Sequence, residues 1–253
     1  AATSVQSGYA LSFQGLSNAQ VIRKGQTVEF SLVMQVPSPV PVAADLNKAS
    51  EGKLKIIATE RYARADQSVQ AQVLKIMAAK PDVVFVGGSG TPAAMPQITL
   101  RERGYKGRIY QSHGVTSKEF LRVGGKAVEG ALIPVGPVLI AEQLPDSHPT
   151  KKAGVAFLQE LEAKHGPEAR STFAGASWDA WLIARNGIER ALSGPHKPGT
   201  PEFRIAVREG IEQAGPLVGS NGIYTMNATD HAGYDPSAIV MIQVENNRWK
   251  LVK

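Results

Sequence analysis

The stretch "VVFVGGSGTPAAMPQ", residues 83–97, decides the fold: a β-branched apolar run breaks into glycines and turns helical within a few residues. Val83 to Val86 shows no polar alternation, which reads as a strand buried on both faces, the kind that parallel sheets contain. Thr91 is a good N-cap and Pro92 suits the first helical position. The loop Gly87 to Thr91 should therefore present backbone N–H groups and the positive end of a helix dipole beyond the strand. A loop of that chemistry suits a carboxylate or another polar ligand head.

Three enzyme motifs touch the same residues, and each fails a second test. Gly88-Ser89-Gly90-Thr91-Pro92-Ala93 fits G-x-G-x-x-A, but the dinucleotide reading needs an acidic residue about 20 positions on. The chain there reads Gln111-Ser112-His113-Gly114. The nucleophile elbow G-x-S-x-G needs glycine where Thr91 stands, and no Lys follows the glycines as in a P-loop. Nor does the sequence place a His or an acid to activate Ser89. His148, His165, His196 and His231 are scattered without metal spacing, so neither a metal nor a cofactor is expected.

Outward from this loop the rhythm is β-α-β. Leu54 to Thr59 reads as a strand and Ser68 to Ala79 as an amphipathic helix with Val69, Val73, Ile76 and Met77 on one face, stopped by Pro81. Pro92 to Arg103 reads as a helix closed by Gly104, and Arg108 to Gln111 as another buried strand. In such sheets ligands bind beyond the carboxyl ends of the strands. Three loops, Glu60 to Arg64, Gly87 to Thr91 and Gln111 to Val115, should converge on one edge.

Further on, helices are expected over Thr116 to Val123, Lys151 to His165, Ser177 to Leu192 and Thr200 to Ala214, with an extended crossing over Gly130 to Val138. In the longest of these, Ser177 reads as the cap and Asp179 as a first-turn charge favouring the dipole, with Trp178 and Trp181 packing a core. Strands are expected at Ile223 to Met226, then at Ala238 to Val244 and Trp249 to Val252, joined by the turn Glu245-Asn246-Asn247-Arg248.

Residues 1–36 behave differently. Tyr9, Leu11 and Phe13, then Val28, Phe30, Leu32, Met34 and Val36, alternate with polar positions, which reads as antiparallel strands. "VPSPVPV", residues 36–42, places three prolines within five positions, as in an extended linker or a boundary.

With 43% hydrophobic residues among 253, the chain can bury a sizeable core in one large domain or two lobes. The most apolar long stretch, Ala127 to Ala141, carries Glu129, Pro134 and Pro137, and no membrane span is expected. The start "AATSVQSG" reads as a mature terminus after cleavage behind small residues, or as an artificial boundary. The absence of cysteine excludes disulfides and thiolate metal sites. The net charge of +6 invites a nucleic-acid partner, but the Lys and Arg residues are interleaved with acids and aromatics are only 6%, so none is expected.

The run from Tyr62 to Ala131 resembles the second lobe of the type I periplasmic binding proteins that serve branched-chain amino acid and aromatic-acid ABC transporters. The likeness is carried by "QVLKIMAAKPDVVFVGG", "RERGYKG", "GGKAVEGA", "SWDA" and "DHAGYD", which occur in the family's order from about residue 42 to the end. The resemblance implies an α/β fold with parallel-sheet lobes and, here, an antiparallel β segment at the N-terminus. It divides the chain into residues 1–41, unassigned; 42–134 plus 230–253, second-lobe-like; and 135–229, a mainly helical first-lobe remnant. Residues 1–36 match nothing in the family pattern, and most of the first lobe is not seen.

By the same resemblance the protein is a non-enzymatic periplasmic binding protein of an ABC uptake system, holding a small carboxylate, an aromatic acid or a branched-chain amino acid. The expected ligand residues are Ser89, Gly90 and Thr91, with His113 facing the ligand and Tyr62 forming an aromatic wall. The expected partner is a permease, and a homo-oligomer is compatible with the pattern. The alternative is a scaffold module that has lost its ligand and self-associates through residues 1–36.

Overall fold

The computed structural model describes residues 28–34, 48, 50 and 53–252. Strands β1 (Val28–Met34), β2 (Leu54–Arg61), β3 (Val83–Gly87), β4 (Arg108–Gln111), β5 (Leu132–Val135), β8 (Val240–Glu245) and β9 (Arg248–Leu251) form one sheet in the order β2-β1-β3-β4-β5-β8-β9. The first five run parallel; β8 is antiparallel to both β5 and β9. Strands β6 (Leu217–Val218) and β7 (Ile223–Tyr224) make a separate antiparallel pair. The α-helices are α1 (Gln70–Ala78), α2 (Ala94–Glu102), α3 (Lys118–Gly124), α4 (Lys151–His165), α5 (Thr172–Leu192) and α6 (Pro201–Glu212).

The expected parallel α/β sheet is present, but one part of it corrects the sequence reading. Residues 28–34 are not an antiparallel segment: Phe30 lies opposite Val83 and Val28 opposite Leu54, in parallel with both neighbours. Alternating side chains identify a strand, whereas the direction of pairing is set by the connections. Strand β1 therefore belongs to the same sheet as β2 and β3. The expected strand at Tyr9 to Phe13 and the proline run itself lie outside the described residues.

Every residue of β3 is buried, as its unbroken apolar run requires. Val84 and Val86 pack with Val73 and Ile76 of α1, Leu100 of α2, and Ile109. A second cluster joins Phe120, Ile133, Leu139, Ile140, Leu158 and Ile242, so the core is continuous across residue 135. A buried amide pair reinforces the centre: the Gln111 side chain donates to Gln97 at 2.9 Å, and Gln97 donates to the Ala127 carbonyl at 3.0 Å.

Helix starts follow the capping residues. Ser117, Ser171 and Thr200 accept the N–H groups of Phe120, Ala174 and Phe203. Helix α5 begins six residues earlier than Ser177 suggested, and the Ser177 hydroxyl instead donates to the Phe173 carbonyl within the helix. The β8–β9 turn is as expected, with Asn246 and Asn247 at φ 53° and 58°, left-handed geometry that Asn tolerates.

Candidate ligand site

Strands β2, β3 and β4 end at Arg61, Gly87 and Gln111, and their parallel direction brings the loops that follow to one edge of the sheet. The loops interlock there. The Gly90 N–H donates to the Gly114 carbonyl at 2.9 Å, the Ser112 N–H to the Val86 carbonyl at 3.1 Å, and the Ser112 hydroxyl to the Gly88 carbonyl. Gly88 is required by close approach: a Cβ there would stand 2.6 Å from the Tyr62 hydroxyl and 2.7 Å from Ala93 Cβ. At φ 66°, Gly90 occupies the left-handed region where other residues are strained.

The structure brings Ser89, Gly90, Thr91 and His113 together at this edge, Ser89 and His113 exposed and Gly90 and Thr91 half-buried. Partial desolvation by the surrounding loops lowers the His113 pKa from its ordinary value. Tyr62 lies below them. Its ring belongs to the core cluster and its hydroxyl is packed under Gly88, so the aromatic wall expected at this position is turned inward. Burial pushes its phenol well above the usual range.

Two details of the expected loop chemistry change. Thr91 does not cap a helix with its side chain: Gly90 is the N-cap of a 3-10 turn over Thr91–Ala93, no side-chain cap bond forms, and α2 follows directly. The Gly90 N–H, expected to face the ligand, is committed to Gly114. A residue outside the expected set takes a place nearby. Nη2 of the exposed Arg64 lies 3.5 Å from the position a Cβ on Gly90 would occupy. Its signal was present in the sequence, since the first of the three convergent loops, Glu60 to Arg64, carries two arginines, Arg61 at the end of β2 and Arg64 beyond it.

A separate buried polar constellation holds α5 to the segment before β7. Asp179 is 1% exposed and accepts from the Ser220 N–H at 2.6 Å, the Asn221 N–H at 2.8 Å and the Tyr224 hydroxyl at 2.7 Å. It therefore serves as a clamp inside the helix instead of a first-turn charge. Burial, and then Asp179 beside it, push the Tyr224 phenol far up. Trp178 and Trp181, expected in the core, are 41% and 53% exposed. Among the described residues there is no group of three His, Asp or Glu that could hold a metal ion, and no helix is long and apolar enough to cross a membrane.

The family model for periplasmic binding protein matches residues 23–248, including the strand that the sequence reading had set apart. A solved structure from Rhodopseudomonas palustris strain CGA009 is 42% identical, with a TM-score of 0.84, covering 90% of this chain and 64% of that one. An extracellular ligand-binding receptor from Rhodopseudomonas palustris HaA2 has the same identity, TM-score and coverage. Among curated proteins, the Leu/Ile/Val-binding protein homolog 3 of Brucella melitensis is 23% identical over 188 residues, 74% of this chain and 46% of its own length. The chain thus spans about half of that curated relative and less than two thirds of the solved ones.

Proposed function

The chain belongs to the periplasmic binding protein family, and we propose that it binds a small carboxylate at the carboxyl edge of its parallel sheet. The observation that carries this reading is the interlocked loop cluster, which gathers Ser89, Gly90, Thr91 and His113 over the ends of β3 and β4. Hydroxyl and imidazole groups at such an edge fix the orientation of a polar head, and the position is the one parallel α/β sheets use for ligands. His113 acts as a hydrogen-bond partner and tunes selectivity. The name of the Brucella relative, a Leu/Ile/Val-binding homolog, supports a ligand that carries a carboxylate. We assign the protein to the periplasm, where it would deliver its ligand to an ABC permease, as a binder without turnover.

The rival reading, self-association through residues 1–36, loses its most direct support. Strand β1 is paired on both sides within the chain and offers no free edge.

Calorimetric titration with leucine, benzoate, benzoylformate and 4-hydroxybenzoate tests the proposal. The expected result is one-to-one binding of at least one ligand at micromolar affinity, about −8 kcal/mol, weakened roughly tenfold by Thr91→Val or His113→Ala. Heat-silent titrations with a folded sample across the whole panel would refute it.

A further inference from the structure

We infer that Arg64 is the charge partner of the bound carboxylate, the group that makes the site select an anion over its neutral analogue. The inference rests on the reading of this edge as a carboxylate site. The loop was expected to hold the carboxylate with backbone N–H groups around Gly90, yet that N–H already donates to Gly114. The 3-10 turn that follows offers few free donors, because Pro92 has no N–H and the Ala93 N–H already donates to the Gly90 carbonyl at 3.2 Å. Neither of the two central loops, Gly87 to Thr91 and Gln111 to Val115, carries a Lys or Arg that would balance the charge of an anion.

Arg64 supplies that charge. Its Nη2 lies 3.5 Å from the Cβ position of Gly90, at the lip of the loop that carries Ser89 and Thr91. The acids nearest in sequence are engaged elsewhere: Asp66 accepts the Ala63 N–H at 2.7 Å, and Glu60 pairs with Lys75. Among the described residues Arg64 forms no ion pair. An exposed guanidinium, planar and always charged, presents paired N–H donors that match both oxygens of a carboxylate. Gly90 lets the loop turn here through its left-handed backbone, at φ 66°.

The test compares acid and amide pairs, benzoate with benzamide and leucine with leucinamide, on the parent chain and on Arg64→Gln and Arg64→Lys. The parent should prefer the acid. Arg64→Gln should bind the acid about tenfold or more weakly and lose most of the preference for it over the amide. Arg64→Lys should keep part of that preference, because it retains the charge without the fork. A merely structural role would weaken acid and amide together and leave the preference intact, and that result overturns the inference. So does unchanged acid binding by Arg64→Gln, a result under which the carboxylate reading itself survives. A folded parent that binds none of the acids overturns both.

Discussion

Tyr62 is buried with a hydroxyl that has no hydrogen-bond partner, pressed under Gly88 where that residue lacks a side chain. A buried hydroxyl without a partner costs about 1–3 kcal/mol of desolvation that nothing offsets. Removing only that oxygen keeps the ring in its cluster with Val69, Val73 and Val84. Tyr62→Phe should therefore raise the unfolding free energy by about 1 kcal/mol, seen as a higher urea midpoint at unchanged slope. A drop in stability would show that the hydroxyl has a partner in solution. From the sequence, Tyr62 reads as a ligand wall because it follows a strand at the ligand edge. Whether a residue at such a position faces outward or inward depends on the glycine opposite, and Gly88 is 26 positions away in the chain.

At the scale of elements, α5 shows where local reading works and where it stops. Helices α4 and α6 begin and end within about two residues of expectation, because their signals are local: Gly166-Pro167 closes one, and Thr200-Pro201 opens the other. The start of α5 is ambiguous in the sequence because two serines compete. Ser177, followed by Trp178 and Asp179, looks like a cap with an acid in the first turn, whereas Gly175 lowers the helical propensity of the true first turns. The role of Asp179 is hidden for a related reason, since its partners at Ser220, Asn221 and Tyr224 lie 41 to 45 residues away. Close packing confirms the clamp, for a Cβ on Gly219 would stand 2.6 Å from the Asp179 carboxyl carbon. Replacing one carboxylate oxygen by an amide turns an acceptor toward a buried N–H or hydroxyl. Asp179→Asn should cost about 2–4 kcal/mol in chemical unfolding. A loss under about 0.5 kcal/mol, the scatter of ordinary surface changes, would mean that the segment before β7 reorganises without the carboxylate.

For the whole molecule, the parallel run of β3 and β4 and the convergence of the loops that follow them were legible from the buried runs at Val83 and Arg108, but strand order was not. Placing β1 between β2 and β3 depends on crossovers, which side-chain alternation does not report. The same limit applies to α5 and α6. They pack tightly, with Gly210 so close to α5 that a Cβ would stand 2.9 Å from the Gly187 carbonyl. Yet Phe173, Trp178, Trp181 and Leu192 on α5 and Ile205 on α6 remain exposed. The two Trp residues were expected in a core because large apolar side chains three apart on a helix usually find one. Solved relatives run longer than this chain, which covers 64% of their length. The fluorescence of the three tryptophans reads this surface directly. Trp249 is half-buried and stacked on Phe120 at 6.4 Å between ring centroids, so acrylamide should quench Trp178 and Trp181 and largely spare Trp249. The double variant Trp178→Phe, Trp181→Phe should lose most of the quenchable emission. If all three are protected in the parent chain and the protection disappears on dilution, the exposed face of α5 is covered by a second copy in solution. Protection that persists at every concentration would place that face inside the folded chain, contrary to the arrangement of α5 and α6 described above.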